Sequence, residues 1–258
     1  MKLRFPSSPQ QLLFAAAAAV LWILPAGATA QAQDLVITTA GEQKSVKVVG
    51  MAPSGQTLNI MVGQGQLGLP ISSIKEVRMT PPPEFAQALA AYQAKDYNKA
   101  LTLDKTVVDK FKGMPSTWAQ QATSFLGDLY ISLNDLAKAE AAYNDFKKFY
   151  PTGGSMASDV GLSRLAVAKK DYEGAKAKLD PITDAALKEK VIKPENALAY
   201  SQAFLVSGQI KEAQGNLSEA LQDYLRTVTY FYQDSAAVAA AKERADALQA
   251  AHKDLTVP

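Results

Sequence analysis

The first hydrophobic pattern after the N-terminus is a series of short apolar runs. Between Asp34 and Met79 the chain is rich in Val, Ile, Thr and Gly, and at Leu58, Ile60 and Val62 apolar residues alternate with others. Alternation with a period of two is typical of a half-buried strand. The pattern predicts five short strands: Leu35–Thr39, Ser45–Met51, Thr57–Val62, Leu67–Pro70 and Glu76–Met79.

These five strands predict a small β-rich module over residues 33–80. In strand number and spacing the module resembles SH3-like and Sm-like modules. A module of this size buries little apolar surface, so we expect it to pack on the helices or on a partner. Gly63, Gly65 and Gly68 formally match a dinucleotide-binding fingerprint, which must open a helix. Because Leu69-Pro70-Ile71 follows, the glycines predict a turn instead.

A helical pattern begins after the break at Thr80-Pro81-Pro82-Pro83. From Glu84 onward the chain is rich in Ala, Leu, Lys, Glu and Gln, which favour helix. Capping residues and prolines predict helix limits. We expect helices over Trp118–Ser132 with Ser116 or Thr117 as cap, from Pro194 to about Lys211, and from Asp234 or Ser235 to about His252. Asp180-Pro181 is expected to bend or end a helix.

Four similar phrases recur in this helical zone. Each has a polar or glycine turn, then Tyr or Leu, then an alanine three residues later, and the alanines are Ala100, Ala139, Ala175 and Ala220. Their spacings of 39, 36 and 45 residues fall in the range of helix-turn-helix repeats. The zone therefore predicts an array of helical hairpins.

The second repeat resembles the tetratricopeptide repeat family. It carries the small and bulky residues of that family's signature at Leu126, Gly127, Tyr130, Ala139, Tyr143 and Phe146. The fourth repeat matches in part, with Phe204, Gly208, Ala220 and Tyr224, but has Lys211 where an aromatic is expected. The first has Ala88 and Asp104, and the third Ser163 and Leu179, at the small and bulky positions.

This resemblance implies a mainly α fold: a helical-hairpin solenoid over residues 81–258, ending in a capping helix. Such arrays bind partner peptides in a concave groove lined by the first helix of each hairpin. The implied groove residues are Phe85, Leu89, Tyr92, Ser124, Asp128, Ile131, Val160, Arg164, Val167, Leu205, Gln209 and Glu212. The set lacks the cluster of Lys and Asn with which some family members hold an acidic C-terminus, so a partly apolar peptide is the expected ligand.

The N-terminus has the composition of a secretory signal peptide. Lys2 and Arg4 precede the apolar run Leu12–Leu24, and small residues follow up to Ala30 and Ala32. A basic start, a short apolar run and a small-residue cleavage site define such a signal. We expect residues 1–32 to be removed, with cleavage after Ala30 or Ala32. An uncleaved membrane anchor is the alternative, although the run is short for a span.

Charge and residue counts disfavour several functions. Without Lys2 and Arg4 the 27 basic residues become 25, equal to the 25 acidic residues, which gives no electrostatic attraction to nucleic acid. There is no cysteine and one histidine, His252, so neither a lipoprotein nor a metal site built on cysteine or several histidines is expected. Glu219 and Asp223 are spaced as on a solvated helix face.

The expected function is therefore that of a non-enzymatic, exported scaffold or adaptor of the cell envelope. It would be periplasmic or secreted, would need no cofactor and would bind protein partners. A self-associating structural envelope protein is the alternative from another class. An enzyme accessory or an unrecognised hydrolase is a third, and the hydrolase is disfavoured by the lack of a nucleophile motif with a suitably placed base.

Overall fold

The computed structural model describes residues 34–151, 154–232 and 234–256. The expected signal peptide and both expected cleavage positions lie outside these ranges. Gln33–Pro258 forms one compact unit. Within it the chain is mainly helical, with a small antiparallel sheet of five strands at its N-terminal side.

The strands are β1 (Asp34–Thr38), β2 (Gln43–Met51), β3 (Thr57–Val62), β4 (Gly65–Pro70) and β5 (Ile74–Arg78). Their order in the sheet is β4-β3-β2-β1-β5, and neighbouring strands run antiparallel. A short 3₁₀ turn, Ile71–Ser73, leads from β4 to β5. The sheet therefore has β4 and β5 as its two edges.

The observed strands lie close to the expected ones. The strand predicted at Thr57–Val62 has the same limits in the structure, because Leu58 and Ile60 alternate into the core. Strand β4 begins at Gly65 rather than Leu67. Gly63 has a φ of +59°, so it supplies the tight turn between β3 and β4; the glycine motif lies in a hairpin and opens no helix.

Nine helices follow in the described part of the chain, each joined to the next by a turn or short loop. They are α1 (Pro83–Gln93), α2 (Tyr97–Phe111), α3 (Thr117–Ser132), α4 (Leu136–Phe149), α5 (Gly154–Ala168), α6 (Tyr172–Lys188), α7 (Pro194–Ala213), α8 (Leu217–Tyr230) and α9 (Ser235–Ala251). Each helix packs against the next along the chain. In addition, α3 packs on α5, α5 on α7, and α7 on α9.

The turns inside the first three helix pairs share one geometry. A residue with φ near +60° is followed by an aspartate that caps the next helix. The residues with positive φ are Lys95 (60°), Asn134 (59°) and Lys170 (60°). The caps are Asp96, Asp135 and Asp171, which accept backbone N–H bonds from Lys99, Lys138 and Gly174. The recurring phrase in the sequence thus encodes one recurring turn.

Two of the expected helix signals act differently in the structure. Ser116 stands at the N-cap of α3 but makes no capping bond. Pro181 neither ends nor divides α6, which continues to Lys188. Pro181 removes the N–H that would pair with the carbonyl of Ala177, and both residues are exposed, so water can satisfy that carbonyl. Asp234 does cap α9, accepting from the Ala237 N–H at 3.1 Å.

The sheet and the first helices share a single core. Val36, Leu58 and Val77 of the sheet belong to the same buried cluster as Phe85 of α1 and Phe111 of α2. The close approach needs glycine: a Cβ on Gly50 would lie 2.8 Å from the Lys110 carbonyl oxygen. The expected boundary near residue 80 therefore separates strands from helices but does not separate two cores.

Candidate partner-binding face

The implied groove residues lie on α1, α3, α5 and α7, the first four odd-numbered helices. We call the surface that these helices and α9 present the odd-helix face. Its accessible members include Leu89, which is 39% exposed, and Gln209, which is exposed. These two side chains are available to a ligand without any rearrangement.

Three of the implied groove residues are instead buried. Phe85 is 7% exposed and packs in the core shared with the sheet, because the sheet covers the first turn of α1. Leu205 is 9% exposed and packs against α8 and α9. Val160 is fully buried against the following helices, and Val167 is partly buried beside it. A one-residue error rotates a helical position by about 100°, which is enough to turn a groove position into a core position.

Asp128 is the centre of a hydrogen-bonded network that joins three helices. The Tyr143 hydroxyl of α4 donates to Asp128 at 2.6 Å, and Arg164 of α5 donates to both carboxylate oxygens at 2.9 Å. Burial and the charge of Asp128 raise the pKa of Tyr143 well above its usual range. Burial opposes the charged guanidinium, but Asp128 and Tyr143 outweigh this effect and raise the pKa of Arg164. Arg164 is therefore positively charged and already paired.

The remaining implied groove residues of α1 and α3 are half-buried. The ring of Tyr92 packs on Phe125 with centroids 5.2 Å apart, and its hydroxyl accepts a bond from Ser132 at 3.3 Å. Ser124 donates to the carbonyl of its own helix at Gln121. Ile131 packs against the cluster around Tyr143. These groups shape the face but have limited exposed surface.

Asp104 of α2 is a buried carboxylic acid whose side chain is influenced by the charge of Asp128. It is 0% exposed, and neither of its oxygens has a hydrogen-bond partner among the described residues. Burial, and to a lesser extent the charge of Asp128, raises the pKa of Asp104 to about 8. At neutral pH this carboxyl is therefore mostly protonated and adds little charge to the site.

A second network repeats the first one near the C-terminal end. The Tyr224 hydroxyl donates to Glu212 at 2.7 Å, and Arg244 of α9 pairs with the same carboxylate. Burial and the hydrogen bond to Glu212 raise the pKa of Tyr224. Tyr224 follows Ala220 by four residues, as Tyr143 follows Ala139, so the two tyrosines occupy matching places in two repeats. The acids do not, because Asp128 directly follows Gly127 whereas Glu212 lies four residues after Gly208. In both, a tyrosine and an arginine join helices through one acid.

The other charged cluster of this region centres on Asp223, which is not solvated. Its side chain is 1% exposed. It accepts from Ser207 at 2.7 Å, Lys211 at 2.6 Å and Arg226 at 2.8 Å. Lys211 replaces the aromatic residue of the repeat pattern, and the buried acid is its partner. The helical spacing of Glu219 and Asp223 did not distinguish this buried position from a solvated one.

Small residues allow the tyrosines to pack between helices. A Cβ on Gly127 would lie 2.4 Å from the Tyr143 ring, and one on Gly208 would lie 2.6 Å from the Tyr224 ring. The residues expected to pack the repeats are buried or partly buried between helices: Leu126, Gly127, Tyr130, Ala139, Tyr143, Phe146, Gly208, Ala220 and Tyr224. Gly161 of α5, which lies over the same Tyr143 ring, belongs with them and has no counterpart in the signature.

Among the implied groove residues, the chemistry left accessible is apolar and amide rather than ionic. The acids and arginines pair with one another, whereas Leu89 and Gln209 are exposed. Tyr230 and Tyr232, at 59% and 72% exposed, flank the buried Phe231 at the turn between α8 and α9. The sequence signal for the two networks was present, since Asp128 and Arg164 were both selected, but their pairing was not expected.

Within the described residues, no group of three or more His, Cys, Asp or Glu side chains could hold a metal ion. None of the described helices has the length and apolar character to cross a membrane. A scan of the chain against models of known protein families found no match, and a search of the curated proteins found none similar in sequence.

Proposed function

We propose that the chain is an exported scaffold or adaptor with a tetratricopeptide-like solenoid, which binds a partner peptide along its odd-helix face. The observation that carries this proposal is the packing order of the helices. Each helix contacts the next, and α3, α5, α7 and α9 also contact one another in sequence. Hairpins stacked in this way form a continuous surface from alternate helices, which suits an extended ligand.

The recurring turns support the same proposal. Three helix pairs use a residue with φ near +60° and an aspartate cap, and two repeats use a tyrosine, an acid and an arginine to join neighbouring hairpins. Repeated local geometry of this kind is what an array of similar units requires. The five-stranded sheet, similar in strand count to SH3-like modules, covers the first helices as the N-terminal end of the array.

The free groups of the odd-helix face favour a partly apolar peptide. Arg164 is paired with Asp128, and Arg244 with Glu212, so a ligand carboxylate would compete with existing ion pairs. Leu89 offers apolar surface and Gln209 offers an amide that both donates and accepts. Export to the envelope rests on the N-terminal composition, and partners are expected among envelope proteins.

Single cysteines provide the test, because the native chain contains none. Gln209→Cys, labelled with a photo-crosslinker, should capture one partner from envelope extract. Asn144→Cys is the matched control, since Asn144 is an exposed amide on the even-numbered helix α4. We expect the crosslinked product with Gln209→Cys and not with Asn144→Cys.

Leu89→Asp then tests whether the crosslinked partner uses the proposed face. The substitution should reduce the crosslinking yield of Gln209→Cys at least tenfold, because it places a charge on the apolar surface. Leu187→Asp is the control: Leu187 is 54% exposed on α6. Equal yields in the two backgrounds, or loss only with Leu187→Asp, would place the partner on another surface and contradict the proposal.

A further inference from the structure

Strand β4 is an edge of the sheet that is open on one side. It pairs with β3 in a regular antiparallel register from Val62 opposite Gly65 to Thr57 opposite Pro70. On its other side, no strand among the described residues pairs with it. An edge strand of this kind presents backbone N–H and C=O groups that can pair with another chain.

The hairpin fixes which backbone groups of β4 point outward. Gly63 and Gln64 form a two-residue turn, so the closing pair Val62 and Gly65 exchanges hydrogen bonds across the hairpin. Leu67 and Leu69 lie two and four residues after Gly65, so they too direct their backbone N–H and C=O groups toward β3. Gln66 and Gly68 therefore direct their N–H and C=O groups away from the sheet.

The hairpin of β3 and β4 carries no charged side chain of its own. No Asp, Glu, Lys or Arg occurs between Lys47 and Lys75, although 20% of the chain is charged. Leu67 is 50% exposed on β4, and Val62 is 55% exposed on β3. Exposed apolar surface beside an open, uncharged edge is the arrangement that proteins ordinarily avoid unless a partner covers it.

The opposite edge of the same sheet is protected. Strand β5 carries Lys75, Glu76 and Arg78, and charged residues on an edge strand oppose pairing with another sheet. The N–H of Val77 also donates to the carbonyl of Pro115 at 2.8 Å, so the loop before α3 covers that edge. Edge strand β5 is thus charged and hydrogen-bonded to a loop, whereas edge strand β4 is uncharged and unpaired on its outer side among the described residues.

We propose that β4 pairs antiparallel with β4 of a second copy of this chain. The two-fold axis of this dimer lies midway between the two Leu67 residues. Gln66 of one copy then lies opposite Gly68 of the other, and the two residues exchange both backbone bonds. Leu67 meets its own counterpart at the non-hydrogen-bonded position, where cross-strand side chains are closest. A strand without charge pairs with itself without like-charge repulsion, and a two-fold axis closes the assembly as a dimer.

The proposal is independent of the odd-helix face, because β4 lies on the sheet and requires no peptide ligand. Its failure would leave the proposed function untouched. Likewise, a chain without an envelope partner could still dimerise through β4. The two proposals are therefore separable by experiment.

Leu67→Cys in the otherwise cysteine-free full chain tests the register. At the non-hydrogen-bonded position the two Cα atoms lie about 4.5 Å apart, within the range of about 4.4–6.8 Å that a disulfide spans. Mild oxidation should convert most of this variant into a disulfide-linked dimer. Val62→Cys is the matched control, since Val62 is equally exposed but lies one strand further in; we expect little dimer from it.

Gln66→Pro tests the backbone pairing itself. Proline removes the outward N–H of Gln66 and is tolerated at edge-strand positions whose N–H faces solvent. Sedimentation equilibrium should show a dimer for the native full chain and a monomer for Gln66→Pro, with unchanged circular dichroism. A monomeric native chain, equal crosslinking of the two cysteine variants, or undiminished association of a folded Gln66→Pro chain would each overturn the proposal; a monomer that binds an extended peptide at this edge is one form of that outcome.

Discussion

Asp104 is an acidic residue in an environment that disfavours a charged side chain. It stands four residues after Ala100, at the place that Tyr143, Leu179 and Tyr224 occupy in the other repeats. Those residues fill the space between hairpins, whereas Asp104 is buried without a hydrogen-bond partner among the described residues. A buried carboxyl without a partner strongly favours its neutral form, which makes the stability of the fold depend on pH.

The raised pKa predicts the direction of that dependence. The pKa of Asp104 is about 8 in the folded chain and about 3.9 in an unfolded one. Between these values the folded chain binds one proton more, so its stability falls as the pH rises. The loss is about 1.4 kcal/mol per pH unit for one group. Asp104→Asn should remove this slope, so that the native chain loses about 2–3 kcal/mol more than the variant between pH 5 and pH 7.

Urea unfolding of both proteins at the two pH values measures this difference. Asp109→Asn on the same helix is the control, since its side chain is 69% exposed and the substitution should leave the slope unchanged. An Asp104→Asn chain with the native pH slope would show that the carboxyl is charged in the folded state. An acid at a bulky position of the repeat pattern marks this site in the sequence, but the burial of that acid depends on the neighbouring hairpin.

The helical hairpins depend on turns whose backbone is strained for ordinary residues. Lys95, Asn134 and Lys170 adopt φ near +60°, a left-handed conformation that costs an L-residue roughly 1–2 kcal/mol. The fourth turn uses Gly215 at the corresponding place, with φ of +80°, and glycine adopts this conformation freely. The three turns without glycine thus retain strain that their capping aspartates offset.

Lys170→Gly should therefore stabilise the chain. The relieved strain exceeds the extra freedom of glycine in the unfolded state, for a net gain of about 0.5–1 kcal/mol. Gly215→Ala provides the reciprocal control: a Cβ there would meet nothing within 4 Å, so its expected loss of about 1 kcal/mol comes from the backbone alone. The midpoints of urea unfolding of Lys170→Gly and Gly215→Ala, measured at one pH, are compared with that of the native chain. Destabilisation by Lys170→Gly would show that the lysine makes contacts that compensate for its conformation.

The limits of a strand or helix could be predicted where the residues of that element themselves carry the signal. The limits of β3 followed from alternation, and the helix expected over Trp118–Ser132 differs from the observed α3 by one residue. Both signals lie within or directly beside the element itself. The start of β4 and the continuation of α6 through Pro181 could not be predicted in this way. Strand β4 is positioned by pairing with β3, and Pro181 is tolerated because its side of the helix is exposed; both depend on neighbours in space.

The same distinction applies to the candidate site. Asp128, Arg164 and Glu212 could be selected from repeat positions, because the repeat fixes which helix they lie on. Their pairing across hairpins could not, since Arg164 lies 36 residues from Asp128 and the contact depends on how hairpins stack. Phe85 was assigned to the groove because a repeat pattern contains no information about a sheet packed on its first helix.

For the whole molecule, the important feature is the core that joins the sheet to the helices. Leu58 of β3 is fully buried in the cluster that also contains Val107, Phe111 and Trp118. Phe111 and Trp118 stack edge to face with ring centroids 5.1 Å apart. A module of five short strands buries too little to be stable alone, so we expect the sheet and the adjacent helices to unfold together.

Leu58→Ala tests this coupling, because it removes apolar volume only from the sheet side of the core. The substitution should cost about 2–5 kcal/mol and lower the midpoint of helix unfolding, monitored by circular dichroism at 222 nm. It should equally lower the midpoint of Trp118 fluorescence, measured in a Trp22→Phe background because Trp22 is the other tryptophan of the chain. Val62→Ala in the same strand is the control: its side chain is 55% exposed, so its expected cost is below about 1 kcal/mol. If Leu58→Ala left the helical transition unchanged while the sheet melted, the sheet would be a separate domain and the shared core would not stabilise the helices.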